Sequence, residues 1–180
     1  MKRSYALLLS VAAACVAVDQ WTKHWATSTL AFSEPMHVIG SLVQFTYTRN
    51  SGIAFGLFAG HNYPFFAFSI LAAVAVLVLF ARHPRLSLAR QLSLALIMGG
   101  AIGNCIDRVR SGKVVDVIYL SWRQWQFWVF NVADVCVTVG VVLFALSWTS
   151  DTHEPVAAGP ATTTATEGDP HAHSGSDGPA

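Results

Sequence analysis

The chain has 180 residues, 53% of them hydrophobic and only 12% charged, with a formal net charge of +1 and a mean hydropathy of +0.47. That balance excludes an ordinary soluble domain and leaves room for a few membrane spans. It also excludes a nucleic-acid binder, since no basic stripe with interleaved aromatics is present.

An apolar run over 5–25 opens the chain. A helix needs about 20 such residues to cross a bilayer. The run follows Lys2 and Arg3 and contains Ala12-Ala13-Ala14-Cys15, so it imitates a signal peptide with a lipoprotein cleavage box. It continues to Val18, however, and three more apolar runs follow, which identifies a span. Asp19 and Lys23 lie one helical turn apart near its end. They are in the order that supports a helix as an ion pair, and support of a functional site is the rival role. The stretch 27–61 is too long for a simple turn. Within it, Leu42 to Thr48 predicts a strand, Asn50-Ser51-Gly52 a turn, and Ile53 to Phe58 an apolar segment against the membrane surface. Together they predict a small sheet and an interfacial segment that roof one face.

Further spans are predicted over 63–81 and 88–106. In the latter, Gly99 and Gly103 have the G-x-x-x-G spacing of close helix packing. Asn104 and Arg108 share a helix face. Asp107 and Arg108 read either as a local ion pair at the interface or as an anchor in which Arg108 holds a carbonyl or anionic group or orients the aspartates. Val114 to Leu120 predicts one more strand, and 130–148 the fourth span. Asn131 fits an N-cap with Asp134 at N3, a reading that explains Asp134 but not Asp116. Tryptophans at 21, 25, 122, 125, 128 and 148 flank the spans like interfacial belts. Cys15, Cys105 and Cys136 fall in apolar segments and read as small hydrophobes. The stretch 150–180 is an acidic tail without a basic residue, predicted disordered. Its His171-Ala172-His173 lacks a third ligand, so no metal site is expected.

Four spans place Asp19, Asn104, Asp107, Arg108 and Asp134 at helix ends on one face, with Asn50 and Asp116 in the loops there. Basic residues are densest at the N-terminus and around Arg82, Arg85 and Arg90, which predicts cytoplasmic termini and a site on the outer face. Ionisable residues at membrane depth are costly and mark function. Two carboxylates that can share a site, Asp116 and Asp134, suggest an aspartic dyad. No serine-hydrolase elbow, zinc-protease motif or phosphate loop competes. The alternatives are a small proton-coupled transporter or channel, with Asp19, Asp107, Asp116 and Asp134 as a relay, and a structural subunit without chemistry.

Five blocks carry a family resemblance: Asp19-Gln20-Trp21-Thr22-Lys23; Asn50-Ser51-Gly52-Ile53-Ala54-Phe55-Gly56; Gly99-Gly100-Ala101-Ile102-Gly103-Asn104 with Asp107-Arg108; Gly112-Lys113-Val114-Val115-Asp116; and Phe130-Asn131-Val132-Ala133-Asp134. In this order they closely resemble bacterial lipoprotein signal peptidase, signal peptidase II, over about residues 5–148. The resemblance implies an all-α integral membrane protein of the bacterial inner membrane, with four transmembrane helices and a small extracytoplasmic β-cradle at about 27–61. The peptidase domain would be 1–149 and the tail 150–180. It implies an aspartic endopeptidase without cofactor or metal that cuts diacylglyceryl-modified prolipoproteins just before the lipid-modified cysteine. Its partners would be that substrate, membrane lipids and globomycin-type inhibitors, with no nucleic acid. Asp116 and Asp134 match the catalytic pair. Asn50, Gly52, Arg108 and Asn131 match positions that contact substrate or shape the site, and Asp19, Lys23, Asn104 and Asp107 match supporting ones. Val117, where the family usually has Phe, and Cys105, where an aliphatic is common, depart from the pattern.

Overall fold

The computed structural model describes residues 2–51, 63–83, 86–123 and 125–149. Four helices, α1 (Lys2–Thr29), α2 (Tyr63–Arg82), α3 (Leu88–Ser111) and α4 (Val132–Thr149), form the bundle. Four strands, β1 (Met36–Ile39), β2 (Val43–Asn50), β3 (Val114–Trp122) and β4 (Trp125–Phe130), form one antiparallel sheet in the order β1-β2-β3-β4.

Helix α3 is the centre of the bundle and packs against α1, α2 and α4. Small residues allow this. A Cβ on Gly99 would lie 2.6 Å from Cys15 Cβ and 2.9 Å from the Ala12 carbonyl oxygen, so the α1 backbone rests directly on α3. A Cβ on Gly140 would lie 2.8 Å from the Ser93 carbonyl oxygen, the same arrangement between α4 and α3. Helices in a bilayer gain association energy from such close packing, because lipid tails are as apolar as Leu. Ser87 caps the start of α3 through its hydroxyl, and Gly112 ends it in the left-handed conformation (φ 69°) with its N–H on the Arg108 carbonyl.

The core groups Leu8, Ala12, Val76, Phe80, Leu94, Ala95 and Met98. Outside it, α2 and α4 expose Phe68, Ile70, Leu71, Val74, Leu77, Val139, Val142 and Leu146. Helices apolar on both faces suit a hydrocarbon solvent. Among the described residues, Arg3–Thr29 and Leu88–Ser111 are long and apolar enough to cross a membrane, and Phe66–Arg82 and Val132–Ser147 are shorter apolar helices.

Several expectations change. The fold is not all-α, and the sheet reaches beyond the cradle expected at 27–61: the chain between α3 and α4 supplies β3, where a strand was expected, and also β4, where none was. The strands expected near Leu42–Thr48 and Val114–Leu120 are β2 and β3, which pair in the register Thr48↔Asp116 and Asn50↔Val114. The segment carrying Trp122, Trp125 and Trp128 forms the β3–β4 hairpin, since aromatic residues favour strands as readily as interfaces. Phe130 therefore ends a strand and α4 starts at Val132. Helix α3 runs beyond residue 106 to Ser111, because Asp107 is buried rather than released to the interface. Asn50 closes β2, and the turn expected over Asn50-Ser51-Gly52 runs out of the described residues. Gly52 and the predicted interfacial segment Ile53 to Phe58, like the tail after residue 149, lie outside the described residues.

Candidate active site

Asp116 sits in β3 opposite Thr48 of β2. Asn50, two residues along β2, shares that face by strand periodicity and donates Nδ2–H to Asp116 Oδ2 at 3.1 Å. Asn131 joins β4 to α4 and is fully buried. Its Nδ2 donates to Asp116 Oδ1 at 3.0 Å and to the Val115 carbonyl at 3.3 Å. Its Oδ1 accepts the Asp134 N–H at 3.0 Å, and Asp134 Oδ2 accepts the Asn131 N–H at 3.2 Å. The expected capping box is thus formed. One asparagine both caps α4 and ties the two aspartates together. Asp134 Oδ1 accepts from Asn104 Nδ2 at 2.7 Å.

Beneath the pair lies a buried ion cluster. Lys23 Nζ is 2.8 Å from Asp19 Oδ2, 2.8 Å from Asp107 Oδ2 and 3.2 Å from Asn104 Oδ1. Gln20 donates to Asp107 Oδ1 at 3.0 Å, Asp19 Oδ2 at 3.2 Å and the Gly103 carbonyl at 3.3 Å. The i,i+4 pair of Asp19 and Lys23 is present, but it is buried and bound into α3, so it is more than local helix support. Gly103 makes room for it: a Cβ there would fall 2.7 Å from Asp19 Oδ2.

Arg108 corrects another expectation. Asp107 pairs with Lys23 across the α1–α3 interface rather than with its neighbour. Arg108 Nη1 instead donates to Ser69 Oγ of α2 at 3.2 Å and to the Asn104 carbonyl at 3.3 Å. Asp134, Asp107 and Asp116 are within its electrostatic reach.

Burial pushes the Asp116 carboxyl up from the ordinary 3.8 to about 6. The hydrogen bond from Asn50 opposes that rise, the charge of Asp134 adds to it, and Asn131 and Lys23 pull it back down. The group can therefore hold a proton under mildly acidic conditions. Asp134 also borders a cavity of about 380 Å³ walled by Trp128, Phe130, Val135, Thr138 and Val139. One wall of that space is a carboxylate and the rest is mostly apolar, which suits an extended apolar chain.

The site thus gathers Asn50, Asn104, Asn131, Asp116 and Asp134 in one hydrogen-bonded group, with Asp19, Lys23 and Asp107 under it. Sequence reasoning gave Gln20 no role, although it stands in the first motif block beside Asp19. Ser69 had no signal, while Trp128 was read as part of an interfacial belt and Phe130 as the opening of a motif block, neither as a cavity wall.

A family model described as signal peptidase (SPase) II matches residues 11–150. Curated lipoprotein signal peptidases are similar in sequence. That of Symbiobacterium thermophilum is 41% identical over 145 residues, covering 77% of this chain and 93% of the relative. That of Syntrophotalea carbinolica is 41% identical, covering 78% and 91%, and that of Geobacter metallireducens is 37% identical, covering 84% and 95%. Two solved structures described as a bacterial membrane enzyme superpose with TM-scores of 0.74 and 0.73 at 33% identity. The first covers 81% of this chain and 89% of the other, the second 80% and 93%.

Proposed function

The chain belongs to the signal peptidase II family, and on that premise we propose that Asp116 and Asp134 are the catalytic dyad of a lipoprotein signal peptidase. The protein is a membrane hydrolase that cleaves the signal peptide of prolipoproteins. The observation that carries the dyad is the Asn131 bridge: one buried side chain bonds the carboxylate of Asp116 and the backbone of Asp134, and nothing in helix capping alone requires the first of these. Family membership sets the transporter and structural-subunit readings aside.

In the proposed mechanism the pair shares one proton, because adjacent carboxylates do not both ionise easily. Asp116, which burial makes easier to protonate than a free carboxyl, holds it. Ionised Asp134 takes a proton from water as the water oxygen bonds to the scissile carbonyl carbon, and Asp116 stabilises the carbonyl oxygen. As the carbon–nitrogen bond breaks, a proton passes from the dyad to the leaving nitrogen. No covalent enzyme intermediate forms. Asn50 and Asn131 fix the orientation of Asp116, and Asn104 that of Asp134. Arg108 holds α2 against the site and offers positive charge to the peptide.

The substrate carries a diacylglyceryl group on its lipobox cysteine, and the cut falls just before that cysteine. The apolar cavity beside Asp134 receives the substrate chain. All four helices span the bilayer as residues 1–149, the termini are cytoplasmic and the dyad lies near the extracytoplasmic face. Asn50 and Gly52 contact substrate, and a globomycin-type inhibitor occupies the same site. The test is mass spectrometry of the products of purified enzyme and a diacylglyceryl-modified prolipoprotein. The expected product begins with the lipidated cysteine. Cleavage at another bond, or equal cleavage of the unlipidated precursor, contradicts the reading.

A further inference from the structure

The two acids of the ion cluster each have an oxygen that does something besides neutralise Lys23. Asp107 Oδ2 accepts the N–H of Val115 at 3.1 Å, and Asp19 Oδ1 accepts the N–H of Ala133 at 2.9 Å. Val115 directly precedes Asp116, and Ala133 directly precedes Asp134. Each reactive carboxylate thus stands one residue beyond an amide held by its own buried acid, and the two acids share one ammonium at 2.8 Å each.

We propose that Lys23, Asp19 and Asp107 form a positioning clamp that fixes the separation of the two aspartates by pinning the amides just ahead of them. The proposal deepens the dyad reading and rests on it. Its physical basis is the lack of any shared rigid element. Asp116 is on a strand and Asp134 on a helix, with a whole hairpin between them in the chain. Asn131 joins them from within that same stretch of chain, so it moves with them. The clamp joins them to α1 and α3, which pack tightly at the small-residue contacts Gly99 and Gly103. Asp19 and Lys23 are 0% and 3% exposed and Asp107 is 7% exposed, so their hydrogen bonds are little diluted by water. Carboxylate–amide bonds of this kind are charge-assisted and stronger than neutral ones. Misplacing a catalytic group by about 1 Å costs on the order of 10²-fold in rate. The ammonium bridges both acids at 2.8 Å each, and the two amides they hold lie on different elements. Gln20 ties the two acids to each other and to α3.

The direct test removes one N–H and leaves every side chain in place. Full-length enzyme is made with an amide-to-ester change at residue 115 or 133, by incorporating the α-hydroxy analogue of valine or alanine. Ala133 lies in the first turn of α4, where an amide has no partner within the helix, so the deletion spares the helix ladder. For either ester, kcat on the lipidated prolipoprotein is expected to fall by about 10- to 100-fold with KM within about two-fold of wild type, as for lost positioning rather than lost binding. Asp107→Glu and Asp19→Glu keep the charge but displace the oxygen, and they are expected to lose kcat as well. An ester variant whose kcat stays near wild type overturns the clamp. So does a rise in KM alone, or full activity of the Glu variants, which would leave the acids as mere counter-ions. Wild type, Asp116→Asn and Asp134→Asn run in the same assay. An inactive wild type, or an active Asn variant, marks failure of the dyad reading instead.

Discussion

The two ends of the same helix bundle are built on opposite rules. At one end α1, α2 and α3 meet through Leu8, Ala12, Val76, Phe80, Leu94 and Met98, whose contacts are non-directional. At the other, α1 and α3 bury Asp19, Lys23, Asn104 and Asp107 against Asp116 and Asn131, and each of these side chains has a specific partner. Apolar packing tolerates replacement in proportion to the volume changed. A buried polar network does not, because removing one member leaves another charged or polar group without a partner. The lesson is that the same two helices build one end from non-directional contacts and the other from specific pairings.

That contrast breaks first at Lys23. Lys23→Met leaves two buried carboxylates facing each other, an error worth about 3–5 kcal/mol. A large drop in thermal midpoint and loss of cleavage are expected. Adding Asp19→Asn and Asp107→Asn is expected to recover part of the midpoint, since no charge then remains unpaired; no recovery would show that the cluster is held by shape rather than charge. At the apolar end, Gly99→Val drives a side chain into Cys15 and the Ala12 backbone. Overpacking costs about 1–3 kcal/mol. The midpoint is expected to fall, and kcat with it, because the α1–α3 contact at Gly99 also carries the clamp; an unchanged kcat would show that the two ends are independent.

The pH dependence sharpens the comparison from the polar side. With the Asp116 carboxyl pushed up to about 6, the protonated form is lost as pH rises through that value. The alkaline limb of kcat/KM is therefore expected near it, as a property of the coupled pair. Asn50 lowers the value by bonding the charged form, so Asn50→Ala should move that limb to higher pH. A limb that stays put would remove Asn50 from the electrostatics. The same shift costs stability as pH rises from 3.8 to about 6, because there the folded protein holds the proton more tightly than the unfolded chain. The smallest effect is expected from truncation after Ser150, where the family match also ends: the cleavage rate should not change.

Helix existence was legible in four apolar runs, although among the described residues only two of the helices are long and apolar enough to cross a membrane. Helix ends were less so. Helix α1 continues to Thr29, past a buried Lys23 that composition alone would place in water. The strands β2 and β3 showed in their β-branched residues, but β4 did not, since Trp125 to Phe130 is as good an interfacial belt as a strand. Edge strand β1 is short and exposed throughout, so it carries no alternation to read. The site residues stood out as rare polar groups in an apolar chain, and the motif blocks gathered them. Their pairings did not show. Asp107 has Arg108 beside it in sequence, yet its cation is Lys23 on another helix. Which oxygen holds which amide is a matter of helix packing, fixed by Gly99 and Gly103, and no spacing rule within one segment contains it.

The most direct measurement is cleavage of a diacylglyceryl-modified prolipoprotein by Asp116→Asn and Asp134→Asn beside wild type, with folding checked by thermal unfolding. Asparagine keeps the size of each side chain and removes its ability to exchange a proton. Two folded proteins without cleavage activity are expected. A folded variant that cleaves at near the wild-type rate would contradict the dyad reading and remove that aspartate from the pair.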